Sequence, residues 1–132
     1  ATEGFDEMLL TSSLLEHVGE MDVVVVTAPL LPSTRGLIPR EVLKAMKQDA
    51  TSVNIARGGL IDQEAMIEVL ASRPDLFAAL DVFETEPLAA DSELWQMENV
   101  AVSPHNSFVS NGNNKRMFEV MKRNLQAFIE KR

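Results

Sequence analysis

The sequence predicts an α/β fold in which a parallel β-sheet carries flanking helices. Short apolar runs alternate along the chain with segments in which an apolar residue recurs every three or four positions. The apolar runs lack the polar alternation of a half-solvated strand, which is typical of parallel sheets covered by crossover helices. Because the chain has 132 residues, of which 45% are hydrophobic, one domain is expected.

The first half of the chain predicts two helices and two strands in alternation. Residues 11–13 (Thr-Ser-Ser) are helix-capping types, and the short apolar stripe that follows them ends at Gly19. Residues 21–28 contain four consecutive valines, which predicts a strand that is buried on both faces. Pro39 is suited to the first turn of a second short helix. Residues 51–56 then predict the second strand.

The second half continues the alternation. Asp62 is placed to cap a third helix, whose apolar positions recur at helical spacing. Residues 77–83 predict a third strand, with Asp81 inside it, and residues 100–102 predict a fourth. From about residue 113 to residue 131 the pattern predicts one long helix. Because crossovers between parallel strands are right-handed, helices are expected on both faces of the sheet.

Composition excludes several classes of protein. Twenty acidic residues against twelve basic ones give a net charge of −8, which argues against a nucleic-acid or anionic-membrane binder. The absence of cysteine excludes disulfides and thiolate metal sites, and no metal site is predicted. No apolar run reaches the roughly 20 residues of a membrane helix, and residues 1–7 do not resemble a signal peptide, so a cytoplasmic protein is expected. Since Ala1 is not an initiator methionine, the chain is interpreted as a piece of a longer protein.

Chemically useful side chains follow the predicted strands. Arg57 follows the second strand, Glu86 lies just beyond the third and His105 follows the fourth. Ligands bind at the carboxyl ends of parallel strands, where these residues are expected to meet. A guanidinium matches a carboxylate, while an imidazole beside a carboxylate is suited to acid–base chemistry. The alternative is a structural ion-pair cluster without catalytic function.

At this point the sequence resembles a known family, the D-isomer-specific 2-hydroxyacid dehydrogenases. The segments that carry the resemblance are residues 23–38, 54–62 (NIARGGLID), 79–88 (ALDVFETEPL) and 99–105 (NVAVSPH). The similarity extends from about Leu14 into the final helix. It implies a Rossmann-like domain that binds NAD, and a reversible hydride transfer between NAD(H) and a 2-hydroxy or 2-oxo acid.

The resemblance also implies roles for individual residues. Arg57 would bind the substrate carboxylate and polarise the carbonyl, His105 would be the general acid/base, and Glu86 would hydrogen-bond to it. Asp81 would contact the nicotinamide side. The cofactor-lining residues that the resemblance implies are Pro29, near the adenosine, and Ile55, Ala56, Arg57, Asp81, His105, Asn106, Ser107 and Phe108. Phe108 is bulkier than the small residues of the family and is expected to narrow the nicotinamide pocket.

Two parts of such an enzyme are missing from the sequence. The glycines lie at positions 4, 19, 36, 58, 59 and 112. None of them forms the G-x-G-x-x-G turn that binds a pyrophosphate at a helix N-terminus. No separate substrate domain is present either. Residues 1–132 are therefore interpreted as the second half of an NAD-binding domain with a C-terminal helix at about 113–131.

Three hypotheses about function remain open at this point. The first is an NAD-dependent D-2-hydroxyacid dehydrogenase that acts on a small 2-hydroxy or 2-oxo acid and forms a homodimer. The second is an NAD-sensing regulatory protein, since some relatives are transcriptional corepressors that keep the same arginine, glutamate and histidine. The third is a truncated subunit that only dimerises.

Overall fold

A parallel sheet of four strands forms the centre of the computed structural model, which describes residues 3–130. The strands are β1 (Val23–Val26), β2 (Thr51–Asn54), β3 (Phe77–Leu80) and β4 (Val100–Val102). They lie side by side in the order in which they occur in the chain, and each neighbouring pair is parallel. The predicted α/β class is therefore confirmed.

The α-helices are α1 (Leu14–His17), α2 (Arg40–Ala45), α3 (Gln63–Ser72) and α4 (Asn113–Glu130). Of these helices, α2 and α3 connect strands, whereas α1 precedes β1 and α4 follows β4. Short 3-10 turns occupy Thr11–Ser13, Val18–Glu20, Gly58–Leu60 and Glu93–Gln96. Asp62 caps α3 as expected, because its side chain accepts a hydrogen bond from the N–H of Ala65 at 2.9 Å. None of the helices in the described part of the chain is long and apolar enough to cross a membrane.

The hydrophobic core lies on the side of the sheet that α2 and α3 cover. Val26, Asn54 and Leu80 are in register across three strands and are all buried. Leu43 of α2 and Leu70 of α3 are also buried in this core. Each fully buried leucine contributes about 1.5–3 kcal/mol, so this layer is what stabilises the carboxyl end of the sheet.

The other face of the sheet is open in the described residues, which corrects two expectations. Val23 and Val25 are 55% and 50% exposed, so the run of valines is not buried on both faces. Phe77, which is in register with Val23 through Thr51, is exposed as well. Helices were expected on both faces of the sheet, but those packed on the core all lie on the opposite face, which leaves this face uncovered on the edge strand β1 and on the inner strand β3 alike. The local sequence pattern cannot distinguish these two environments.

Three strands are shorter than the sequence predicts, and β1 covers Val23–Val26 instead of residues 21–28. β2 stops at Asn54, where the Asn54 side chain bonds to the backbone of Ala56 and of Arg57 and turns the chain away from the sheet. β3 stops at Leu80, so Asp81 follows the strand instead of lying inside it. Both shifts place polar side chains at the carboxyl end of the sheet.

The terminal helices differ in how well the sequence predicts them. α1 is only one turn long between two 3-10 turns, and Ser13 does not cap it, because its hydroxyl donates to the carbonyl of Leu10. α4 runs over the predicted residues as far as Glu130, and Lys131 lies outside the described residues. The apolar residues of α4, including Met121 and Leu125, are exposed.

Candidate active site

The turn after β2 carries Arg57 and is held by Asn54. The buried Asn54 side chain donates from Nδ2 to the carbonyl of Arg57 at 3.0 Å, and its Oδ1 accepts from the N–H of Ala56 at 3.1 Å. Gly58 follows Arg57 and lies against the backbone of Phe83. A Cβ at position 58 would come within 1.9 Å of the Phe83 carbonyl carbon. Only glycine permits this approach, which brings the Arg57 turn against the segment after β3.

Glu86 and His105 form a directly bonded pair. His105 Nδ1–H donates to Glu86 Oε2 at 2.6 Å, while Glu86 Oε1 accepts from the N–H of Phe83 at 3.0 Å. The hydrogen bond from His105 is the main reason that the pKa of Glu86 lies below its usual value. The N–H of Phe83 and the positive charge of Arg57 lower this pKa further. Because Nδ1 is engaged by the carboxylate, Nε2 is the ring nitrogen that remains for a substrate.

Asp81 lies beneath the turn that carries His105 and is only 3% exposed. Its Oδ1 accepts from the Ser103 hydroxyl at 2.5 Å and from the N–H of Asn106 at 2.9 Å, and Oδ2 accepts from the N–H of Ser107 at 3.0 Å. Burial alone would raise the pKa of Asp81, but these donors outweigh it and hold the pKa well below its ordinary value. Asp81 is therefore a buried, ionised carboxylate with its own hydrogen-bond donors.

One cleft brings the three predicted catalytic residues together. Arg57, Glu86 and His105 all line an open cleft of about 760 Å³ at the carboxyl end of the sheet. Arg35 and Phe83 are also part of its wall. The cleft therefore combines cations that can bind an anion with a histidine–carboxylate pair that can move a proton.

The other predicted cofactor-lining residues are more dispersed. Among the residues that line the cleft, Pro29, Ile55, Ala56 and residues 106–108 are absent. The carbonyl of Pro29 accepts a hydrogen bond from the Thr34 hydroxyl at 2.7 Å. Ile55 and Phe108 have exposed side chains, and the narrowing of a nicotinamide pocket by Phe108 stays a prediction. Their contacts with a cofactor stay predictions.

Three residues that take part in this arrangement were not singled out from the sequence. Asn54 and Ser103 hold the two turns, and Arg35 supplies a second cation to the cleft. For Asn54 a signal exists, because an amide at the end of an apolar strand must find hydrogen-bond partners when it is buried. Ser103 directly follows the fourth predicted strand, where the strand-end rule applies, whereas Arg35 has no comparable signal in its polar connecting segment.

No group of side chains in residues 3–130 is arranged to hold a metal ion. The N-termini of two helices are unsuited to a pyrophosphate. The first turn of α3 is already occupied by the carboxylate of Asp62, and α2 has only six residues.

Comparisons with known proteins identify the family to which the chain is similar. The family described as D-isomer specific 2-hydroxyacid dehydrogenase, NAD binding domain, matches residues 2–107. A glyoxylate reductase of Thermococcus onnurineus is 42% identical over 113 residues, which are 86% of this chain and 34% of the relative.

Two solved structures show the same fold. The phosphoglycerate dehydrogenase of Lactobacillus plantarum superposes with a TM-score of 0.78 at 30% identity, covering 98% of this chain and 42% of that chain. An NADPH-dependent glyoxylate/hydroxypyruvate reductase of Sinorhizobium meliloti, solved in complex with NADP and sulfate, gives a TM-score of 0.76 at 30% identity. That match covers 90% of this chain and 39% of the other. The chain thus spans about a third of the length of the curated relative described above.

Proposed function

The chain belongs to the D-isomer specific 2-hydroxyacid dehydrogenases, within their NAD-binding domain, and on this premise we propose that the protein carrying it is an NAD(P)-dependent reductase of small 2-oxo acids. The observation that carries the proposal is the cleft in which Arg57, Glu86 and His105 meet, with His105 Nδ1 2.6 Å from Glu86 Oε2. These side chains provide an anchor for a carboxylate and a proton donor beside it.

Each side chain has a distinct chemical task. Arg57 binds the substrate carboxylate, and its charge stabilises the negative charge that develops on the carbonyl oxygen. His105 donates a proton from Nε2 to that oxygen during reduction and accepts it during oxidation. Glu86 accepts the Nδ1–H, which orients the ring and stabilises its positive charge. The nicotinamide ring, when bound, supplies the hydride in reduction and accepts it in oxidation.

For the cofactor, we retain the residues that the sequence suggests. Those proposed to hold it are Pro29, Ile55, Ala56, Arg57, Asp81, His105, Asn106, Ser107 and Phe108. The absence of a G-x-G-x-x-G motif from the sequence supports the proposal that residues 1–132 form the second half of the cofactor domain. The pyrophosphate would then be bound by residues outside this chain.

The substrate class follows from the cleft and from the relatives. The relatives described above include reductases of glyoxylate and of hydroxypyruvate. We therefore propose glyoxylate and hydroxypyruvate as the first substrates to test. The corepressor hypothesis finds no support among these relatives. We further propose that the protein acts as a homodimer in the cytoplasm, which light scattering and cell fractionation can test.

The deciding experiment is steady-state turnover by the gene product that carries this chain. Consumption of NADH and of NADPH is measured with glyoxylate, hydroxypyruvate and pyruvate, in the parent protein and in His105→Ala. We expect turnover with at least one of these acids and its near-complete loss in His105→Ala. Absence of turnover with all three acids, in a protein that binds NADH, would favour the regulatory alternative.

A further inference from the structure

His105 lies in a turn with an energetically costly backbone conformation. Its φ of 52° is in the left-handed region. A residue other than glycine is destabilised there by about 1–3 kcal/mol and persists only where surrounding contacts fix it. Several of the hydrogen bonds that fix this turn converge on one side chain, that of Asp81.

Asp81 accepts hydrogen bonds from residues on both sides of His105 in the turn. It accepts a hydrogen bond from Ser103, two residues before the histidine, and from the N–H groups of Asn106 and Ser107 after it. Asp81 is buried and directly follows the last residue of β3, so the sheet fixes its own position. The turn is thereby connected to the sheet through one carboxylate.

We propose that Asp81 is a positioning residue for His105, because it holds the turn in the conformation that brings the imidazole ring to Glu86. Asp81 acts through the backbone of the turn, without needing to touch the substrate. The proton exchange between His105 and a substrate rests on the proposed function. The positioning of the His105 ring by Asp81 does not depend on that function.

The carboxyl group of Glu86 reports where the His105 ring is. Its pKa is lowered mainly by the hydrogen bond from His105, and the nearby charge of Arg57 contributes. Movement of the ring away from Glu86 therefore raises this pKa. Loss of the negative charge of Asp81 could by itself only lower the pKa of Glu86, because removal of an anion favours ionisation of another carboxyl group. The sign of the change thus separates positioning from a simple charge effect.

The experiment follows the Glu86 carboxyl carbon by NMR titration in the full chain. The forms compared are the parent, Asp81→Asn, Ser103→Ala and His105→Asn. Asparagine tolerates the left-handed region, and its side chain is shorter than that of histidine, so His105→Asn defines the state without the ring contact. We expect the Glu86 pKa to rise in Asp81→Asn toward the value in His105→Asn. A smaller rise is expected in Ser103→Ala, which keeps the charge of Asp81 and its two N–H donors.

Asp75→Asn is the matched control. It removes a carboxylate that pairs with Arg73 at 2.6 Å, and it should leave the Glu86 pKa unchanged. A Glu86 pKa that stays constant or falls in folded Asp81→Asn would overturn the proposal. If Asp81→Asn does not fold, the test rests on Ser103→Ala, in which the Glu86 pKa should likewise rise. An unchanged Glu86 pKa in Ser103→Ala would then reject the positioning role.

Turnover in the gene product that carries the chain gives a second readout. If Asp81 positions the acid–base residue, kcat falls in Asp81→Asn, by up to about 100-fold, while the KM for the oxo acid changes little. The titration requires no activity. A parent protein without turnover would therefore count against the proposed function and leave the positioning role to be judged by the titration alone.

Discussion

The N–H of Asp81 donates to the carbonyl oxygen of Asn54 at 3.0 Å, which joins two buried polar residues at the carboxyl end of the sheet. Asn54 holds the backbone of the turn with Arg57, and Asp81 holds the turn with His105. Asn54 and Asp81 thus support the two turns from the neighbouring strands β2 and β3. The sheet therefore sets the spacing between Arg57 and His105.

Replacement of Asn54 by leucine should weaken both the fold and the site. The N–H of Ala56 would lose its partner, which costs about 1–3 kcal/mol when such a group is buried, and the carbonyl of Arg57 would keep only the N–H of Leu60 as donor. Urea unfolding measures the loss of stability, and kcat/KM for a 2-oxo acid should fall with it. Ser52→Ala is the matched control, because Ser52 is equally buried on the same strand. If both variants lost turnover equally, Asn54 would have no special role.

The substitution Arg57→Lys should impair the reaction although it keeps the charge. A lysine cannot present the two parallel donors of a guanidinium to a carboxylate. Loss of one charge-assisted hydrogen bond predicts a fall in kcat/KM for 2-oxo acids of about tenfold or more, with NADH affinity nearly unchanged. Arg40→Lys, which alters an exposed ion pair with Glu68, should behave like the parent. Kinetics identical to the parent would argue against the carboxylate-binding role.

The stability contributed by Glu86 should depend on pH with a definite sign. Its pKa is lower in the folded protein than the ordinary glutamate value of about 4.3, so the ionised form stabilises the fold. This contribution is complete above that ordinary value and is lost as the pH falls through the lowered folded pKa. Unfolding in urea should therefore show a smaller difference between the parent and Glu86→Gln at pH ~3 than at pH ~6. A difference that grows on acidification would contradict the assignment.

Gly58→Ala should be strongly destabilising. The new Cβ would lie 1.9 Å from the carbonyl carbon of Phe83, and backbone cannot yield as a flexible side chain can. We expect the free energy of unfolding, measured by thermal or urea unfolding, to fall by about 1–3 kcal/mol or more. The neighbouring Gly59→Ala is the control, since its closest contact is the flexible end of Arg35 at 2.9 Å. Equal effects at the two positions would show that the close approach at Gly58 is not limiting.

The chain by itself should bind NAD weakly. The sequence contains no G-x-G-x-x-G turn, and the first turn of α3 is occupied by Asp62. Calorimetry should detect little or no heat of NAD binding at micromolar concentrations of this chain. Micromolar affinity would reveal a phosphate site that neither the sequence pattern nor the helix ends indicate.

The sequence alone determined the class of fold and indicated the side chains that meet in the cleft. The alternating segments predicted all four strands, and Arg57, Glu86 and His105 were found because each follows a strand of a parallel sheet. A carboxylate inside an apolar stretch, as at position 81, must find hydrogen-bond donors or a ligand. These features depend on local order and on a general rule of topology.

Only the tertiary structure decided which donors Asp81 finds and which face of the sheet is covered. Ser103, Asn106 and Ser107 lie more than twenty positions from Asp81 in the chain, and the left-handed turn at His105 has no local signal of its own. Val23 and Val25 have the apolar character of buried strand residues, yet they are exposed at the sheet edge. Periodicity describes a segment's own preferences, whereas burial and hydrogen-bond partners depend on packing between segments that are distant in sequence.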